Sequence, residues 1–229
     1  MFTLTPRTNP SPWLTVLSPI ASIFATVVIG ALIFTLAGYD AGQSLYQFFI
    51  SPLSRLDRIS DVMVKASPLI IIGLGLVFCY RANIWNIGAE GQFILGALAA
   101  GAFALQFPDT TSPLLLPAMI LVAMLAGALW AGIAAICKTY FNANEILVTL
   151  MLTYVAALFI DLMVRGPLRD PMAFGFPLTP MYPDAGLISR MPIPGLGYVG
   201  QLHYGVLIAL FLAPLAWWLM NRTLPGYQI

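Results

Sequence analysis

The chain has 229 residues, of which 60% are hydrophobic and only 8% charged, with mean hydropathy +0.90. A soluble domain carries about 25% charged residues, so this chain has too little polar surface to face water all round, and lipid is its natural solvent. Ten Lys and Arg against nine Asp and Glu leave a net charge of +1, which gives no sign of a nucleic-acid partner or an acidic surface substrate.

A helix needs about 20 mostly apolar residues to cross the hydrocarbon core. No charge occurs between Arg7 and Asp40, and Trp13–Gly38 reads as a first span. It exceeds the roughly 7–15 apolar residues of a signal-peptide core, so a retained anchor is expected. Residues 40–61 mix Asp40, Arg55, Asp57, Arg58 and Asp61 with Tyr46, Phe48, Phe49 and Ile50, the pattern of an amphipathic connector on a membrane surface. Further spans are expected over about 62–80, 87–107, 113–137, 144–164 and 204–220. Lys65 lies close enough to one end of its span to snorkel toward the headgroups. Pairs such as Gly96/Ala100 and Gly127/Ala131 are four apart, as generic close packing of membrane helices requires.

The longest non-membrane stretch, 165–203, has prolines at 167, 171, 177, 180, 183, 192 and 194 and glycines at 166, 175, 186, 195, 197 and 200. That density forbids a regular helix and predicts an ordered surface cap, a candidate docking face. The expected fold is therefore all-α: one polytopic bundle over 1–229, of about six spans, with a Pro/Gly-rich extracytoplasmic loop. Alternation from a cytoplasmic N-terminus puts Arg7, Arg81, Lys138 and Arg222 inside and Arg55, Arg58, Arg165, Arg169 and Arg190 outside, so charge alone does not orient the chain.

The most informative segment is Arg81-Ala-Asn-Ile-Trp-Asn-Ile-Gly-Ala-Glu-Gly-Gln92. It sets Asn83, Asn86, Glu90 and Gln92 between two apolar runs, with Gly88 and Gly91 among them. Such groups cost several kcal/mol to bury without partners, and breaks of this kind are tolerated where backbone lines a cavity or packs on protein. Asn83 or Asn86 is expected to cap the third span, whose amino end would suit a polar solute or the Glu90 carboxylate. A cytoplasmic turn with an ordinary capping network fits the same residues equally well.

A second polar cluster, Asn142-Ala-Asn-Glu145, opens the fifth span. Asp161 lies near its far end with Arg165 one turn on, the spacing of a helical ion pair. The uncharged interval from Ile146 to Ile160 reaches only about 22 Å at 1.5 Å per residue, so an acid is expected at the hydrocarbon edge or turned into the bundle. Acids in membrane helices point to function; Glu145 fits that reading and a structural one alike, whereas Asp161 reads as a surface pair.

Several chemistries find no motif. Cys79 and Cys137 offer no disulfide framework, and with the single histidine, His203, they make no metal-ligand spacing. Lys138-Thr139 follows Cys137 rather than the glycine of a phosphate-binding loop. Neither a GxSxG elbow nor an HExxH helix is present. No catalytic residue, metal or cofactor is expected.

The run Asn86-Ile-Gly-Ala-Glu-Gly-Gln92, followed by Leu95-Gly-Ala-Leu-Ala-Ala100, resembles the signature of ABC-importer permeases for nucleosides and simple sugars, within the branched-chain amino acid/ribose-type permease superfamily. Lys65-Ala-Ser-Pro-Leu69, Asn144-Glu-Ile-Leu-Val-Thr-Leu-Met151 with Tyr154, Gly166-Pro-Leu-Arg-Asp170 and Arg222-Thr-Leu-Pro-Gly-Tyr227 are similar to stretches in the same order in that family. The resemblance implies a multi-pass subunit of a bacterial plasma (inner) membrane importer, performing no chemistry itself. Its implied partners are a second permease subunit, a cytoplasmic double-cassette ATPase, an extracytoplasmic solute-binding lipoprotein, membrane lipid and a nucleoside or sugar. Because family members continue beyond the segment around Tyr227, it also implies that this chain is the N-terminal portion of a longer permease. Asn86, Glu90, Gln92, Asn144 and Glu145 match the family's motifs and are expected on the solute pathway or its supporting polar network, with Gly88 and Gly91 as structural motif residues and Trp85 or Tyr154 as candidate stacking partners. The rival readings are a secondary transporter or passive channel using Glu90 and Glu145 as ion ligands, and a membrane enzyme or scaffold, for which no motif speaks.

Overall fold

The computed structural model describes residues 12–229; Arg7 of the expected cytoplasmic end lies outside them. The chain divides into two compact units, Met1–Val62 with Val199–Gln201, and Met63–Tyr198 with Leu202–Ile229.

In the first unit, helix α1 (Pro12–Leu36) is followed by a chain of short helical pieces: α2 (Ala41–Leu45), a π-turn (Tyr46–Ile50) and a 3-10 turn (Ser51–Leu53). Asp40 starts α2 by accepting the Gln43 N–H at 2.7 Å. Arg55 pairs with Asp57 at 3.0 Å, and Arg58 donates to the Ser51 hydroxyl. Phe48 and Phe49 remain exposed, edge to face at 5.1 Å. The connector expected over 40–61 is shorter than its sequence pattern implied, because α3 begins at Leu56 rather than near Val62 and runs to Arg81. Asp57, near its start, sits at the end of the helix where a negative charge opposes the backbone dipole favourably.

The second unit holds the rest of α3 and helices α4 (Ala89–Ala104), α5 (Leu115–Phe141), α6 (Glu145–Arg165), α7 (Tyr204–Arg222) and α8 (Leu224–Gln228). Pro68 interrupts α3 by withholding the N–H that would bind the Val64 carbonyl. The Ser67 hydroxyl donates to that carbonyl at 2.8 Å, which is how membrane helices tolerate an internal proline.

Five helices among the described residues are long and apolar enough to cross a membrane. The third expected span, 87–107, differs from the sequence reading: α4 has 16 residues, about 24 Å at 1.5 Å per residue, short of the ~30 Å hydrocarbon core. It stops early because Pro108 disfavours helical backbone at Phe107, and it starts late because Gly88 is pressed against α6.

Packing is inverted relative to a soluble domain. Leu129, Leu158 and Phe211 are 74%, 73% and 68% exposed, whereas Ala104, Ala156 and Ala209 are fully buried. Large apolar side chains face the lipid and small ones let the helices meet. A Cβ on Gly96 would stand 2.9 Å from the Ala123 carbonyl oxygen of α5, and one on Gly91 2.9 Å from the Thr153 Cα of α6. The small-residue stripes are therefore real contact surfaces, and α4 is the helix they clamp.

The Pro/Gly-rich stretch contains a 3-10 turn (Asp184–Gly186) and an antiparallel hairpin, β1 (Arg190–Ile193) with β2 (Gly197–His203), bulged between Arg190 and Pro192. Sequence reasoning gave an ordered cap but not the hairpin. Gly186 lies against Met119 of α5, and the Tyr182 ring lies against Gly101 of α4. His203 starts α7, its Nδ1 accepting the Gly205 N–H at 3.1 Å.

Candidate functional site: a chamber among α3 to α6

Two helix–turn–helix corners build the site. Helix α3 closes with Asn83 in the left-handed region (φ 55°). The Ile84 N–H reaches the Cys79 carbonyl at 2.9 Å and the Asn83 N–H reaches Tyr80 at 3.0 Å, a Schellman closure. Helix α5 also ends on a left-handed asparagine, Asn142 (φ 52°), but with a wider closure in which the Asn142 N–H and, at 3.1 Å, the Ala143 N–H both reach the Cys137 carbonyl.

Neither Asn83 nor Asn86 caps α4, contrary to expectation. The N-cap is Gly88, without a side-chain cap. A Cβ there would lie 2.7 Å from the Thr149 carbonyl oxygen, so the corner needs glycine at the position where a capping side chain would sit. Asn86 instead accepts the Gly88 N–H on Oδ1 at 2.9 Å. Its Nδ2 donates to Gln92 Oε1 at 3.3 Å, and Gln92 Nε2 donates back to Asn86 Oδ1 at 3.2 Å. The two amides form a closed reciprocal pair. Thr149, buried in α6, accepts the Ile87 N–H on Oγ1 at 3.1 Å and donates to the Glu145 carbonyl at 2.7 Å. This one hydroxyl ties the break to α6.

At the second corner Asn144 does cap α6, Oδ1 accepting the N–H groups of Ile146 at 2.9 Å and Leu147 at 3.4 Å. Glu145 Oε1 accepts from Lys138 Nζ at 2.6 Å, the two side chains being 20% and 41% exposed. That partner was not foreseen, although Lys138 and Glu145 are the only charges of the α5–α6 corner.

These groups face a chamber of about 550 Å3 that is apolar over most of its lining and carries Asn86, Gln92, Lys138, Asn142, Glu145 and Thr149. A smaller slot of about 260 Å3 adjoins it, lined mainly by apolar groups including Ile72, Leu76 and Phe93. Cys79, Asn86 and Gln92 line both spaces. Cavities of about 300–1,000 Å3 take small organic ligands.

Of the residues singled out from sequence, Asn86, Gln92 and Glu145 meet in the chamber. Asn144 supports it from the helix cap. Glu90, in the first turn of α4, is exposed, lines neither space and has no hydrogen bond or ion pair among the described residues. Gly88 and Gly91 serve the contacts with α6. Trp85 and Tyr154 are 53% and 62% exposed and line neither space; Trp85 packs on Tyr80 at 5.5 Å. Asp161 and Arg165 form the expected surface pair at 2.7 Å. Lys138 and Thr149 were missed as site residues, though the Lys138 to Glu145 spacing across a two-asparagine turn was a usable signal. Among the described residues no cluster of His, Cys, Asp and Glu suits a metal ion.

Comparison with known proteins gives the family. The chain is 31% identical over 99% of its length to the glucose ABC transporter permease protein TsgB13 of Haloferax volcanii, and 27% identical over 93% to the guanosine ABC transporter permease protein NupP of Bacillus subtilis. It is 32% identical over 73% of its length to the guanosine ABC transporter permease protein NupQ of Bacillus subtilis. It spans 60% of the length of each of the first two and 52% of the third. No solved structure matches the chain. The sequence pattern of the branched-chain amino acid transport system permease component family matches residues 58–229, and with helices of membrane-spanning length the chain belongs to that family as a multi-pass membrane protein.

Proposed function

We propose that the chain is the transmembrane permease subunit of an ATP-driven ABC importer for nucleosides or simple sugars and forms part of its translocation path in a bacterial plasma (inner) membrane. The observation that carries this reading is the chamber of about 550 Å3 among the helices, apolar over most of its lining but with neutral amides and an ion pair on its walls. The names of the glucose, guanosine and nucleoside relatives support the solute class. Asn86, Gln92 and Glu145 face the solute, and Asn144 holds the helix end that carries Glu145.

The subunit performs no chemistry. ATP hydrolysis resides in a separate cytoplasmic double-cassette ATPase, and an extracytoplasmic solute-binding lipoprotein delivers the solute. Two guanosine permeases in one organism, NupP and NupQ, support pairing with a second permease subunit. Nucleotide binding elsewhere switches the subunit between access states, and the solute follows its differential affinity for them.

Uptake into membrane vesicles tests the reading. ATP-dependent accumulation of a nucleoside or hexose that persists when the proton gradient is dissipated is expected. Accumulation that collapses with the gradient overturns the importer in favour of a secondary transporter. In the same assay Glu145→Gln is expected to impair uptake more than Asp184→Asn in the outer cap; wild-type uptake by both removes Glu145 from the path.

A further inference from the structure

Resting on that reading, we infer that Lys65 is a further solute-contacting residue, an ammonium donor on α3 that takes oxygen acceptors of the passing solute about two helical turns from the small slot. The other lysine, Lys138, is paired with Glu145 at 2.6 Å. Lys65 is exposed and has no hydrogen bond or ion pair among the described residues. The uncharged residues 66–80 that separate it from Arg81 reach only about 22 Å, against about 30 Å of hydrocarbon. The backbones of the two charged residues therefore cannot both stand at the membrane edges. An ionisable group set within a span points to a partner or to a water-filled route.

Helix geometry decides which face of α3 carries it. At 3.6 residues per turn, Leu69, Ile72, Leu76 and Cys79 lie within about 40° of Lys65, whereas Ile71, Leu74 and Phe78 lie about 120–180° away. The two faces have different neighbours. Ile72, Leu76 and Cys79 line the slot with Gln92 and Phe93. Ile71, Leu74 and Phe78 face α7 across a crevice of about 150 Å3. Lys65 thus continues the slot side of α3, about 10 Å farther along the axis than Ile72. Pro68 lies between them, but the helix runs unbroken from Leu56 to Arg81, and the Ser67 hydroxyl takes up the freed Val64 carbonyl at 2.8 Å. From Lys65 to Cys79 this face offers only Leu69, Ile72 and Leu76. A polar solute gives up hydrogen bonds to water along such a wall. The ammonium group supplies three donors before the Asn86 and Gln92 amides are reached, and charge-assisted hydrogen bonds are the stronger kind. A lysine that only snorkels to the headgroups has no need of the slot side.

Site-directed labelling in vesicles carrying the assembled importer tests this. Lys65→Cys, Leu69→Cys, Ile71→Cys, Ile72→Cys and Leu74→Cys are treated one at a time with a charged, membrane-impermeant maleimide on both sides of the membrane. Each adduct is read by peptide mass, apart from those on Cys79 and Cys137. Positions 65, 69 and 72 are expected to react at least about tenfold faster than 71 and 74, because only a wetted thiol becomes the reactive thiolate. D-glucose or guanosine, whichever the wild-type vesicles accumulate, is expected to slow labelling at 65 at least about threefold at saturation. Lys65→Gln is expected to raise KM for uptake about tenfold with the maximal rate within about twofold, and Lys65→Arg to keep KM within about threefold. Labelling at 65 that the solute does not slow assigns the lysine to the headgroups and overturns the inference. No labelling at 65, equal labelling of both faces, or an unchanged KM in Lys65→Gln overturns it too. A working importer with an unprotected Lys65→Cys removes this inference alone; absence of ATP-dependent uptake in the wild type removes the importer.

Discussion

The α3–α4 and α5–α6 corners leave their first helix on the same kind of residue and enter the second in opposite ways. Both close on a left-handed asparagine, Asn83 or Asn142. Helix α6 then starts under the Asn144 side chain, with Glu145 paired to Lys138 across the turn. Helix α4 starts bare on Gly88, its backbone against Thr149, and its polar side chains turn toward each other as the Asn86–Gln92 pair. Where there is room for a side chain, the corner uses a cap and a charge pair, which fix it in one arrangement. Where backbones touch, capping by a side chain on Gly88 is sterically excluded, and two neutral amides pair with each other instead. The fixed corner, with Lys138 and Glu145, and the amide corner, with Asn86 and Gln92, both line the chamber.

The largest expected effect breaks the backbone approach. Gly88→Val places its side chain against the Thr149 carbonyl at 2.7 Å and Gly91→Leu against the Thr153 backbone at 2.9 Å. Neither neighbour is a flexible side chain that can move aside, so each variant exceeds the usual overpacking penalty of about 1–3 kcal/mol. Both are expected to be lost as monodisperse protein in detergent size-exclusion profiles. A Gly73→Ala control, where nothing lies within 4 Å, keeps the wild-type profile. Normal profiles for Gly88→Val and Gly91→Leu show that α4 does not need to touch α6.

The second effect tests the fixed corner. Lys138→Met leaves the Glu145 carboxylate without its 2.6 Å partner, and a charge facing a poorly hydrated wall is destabilised when its counter-ion goes. Thermal unfolding in detergent is expected at a lower Tm for Lys138→Met, with much of the loss recovered in Lys138→Met/Glu145→Gln. Additive losses in that cycle show that the two side chains do not interact.

How much of this was legible in the sequence follows from what each feature depends on. The spans were readable because charge-free runs of about 20 residues have one physical explanation. The polar break around Asn86 and Glu90 was readable because amides and acids between apolar runs demand partners. The partners themselves were not. Gln92 meeting Asn86 is local, but the Thr149 contact with Ile87 and the clearance at Gly88 and Gly91 depend on how α6 lies against α4, which no window of sequence contains. The short α4 was missed because the uninterrupted apolar run from Phe93 to Leu105 was extended across Glu90 and Gln92 to Ile87 and onward to Phe107, whereas Pro108 and the crowded Gly88 trim the helix. Glu90 and Glu145 looked alike in sequence; their difference arises because Glu145 has a lysine across its turn and Glu90 has none.

A third, intermediate effect separates capping from charge at the fixed corner. Asn144→Ala removes the acceptor for the Ile146 and Leu147 N–H groups and is expected to cost about 1 kcal/mol. Asn144→Asp retains the acceptor and is expected to lose much less. Equal losses for both show that the Asn144 amide nitrogen, rather than its oxygen, matters there.

The smallest effect lies at the other end of α6. Asp161 and Arg165 are paired at 2.7 Å with side chains 56% and 61% exposed. An exposed i,i+4 pair contributes about 0.3–0.5 kcal/mol and less as salt rises. Asp161→Asn is therefore expected to leave the unfolding free energy within about 0.5 kcal/mol of wild type and to leave uptake unchanged, although it removes an acid from the same helix as Glu145→Gln. The acids differ in surroundings: Glu145 faces the chamber beside Lys138, whereas Asp161 faces outward on the last turns of the helix. A larger uptake loss for Asp161→Asn than for Glu145→Gln reverses that order, and the polar path must then be sought at the Arg165 end of α6 instead of the Asn144 end.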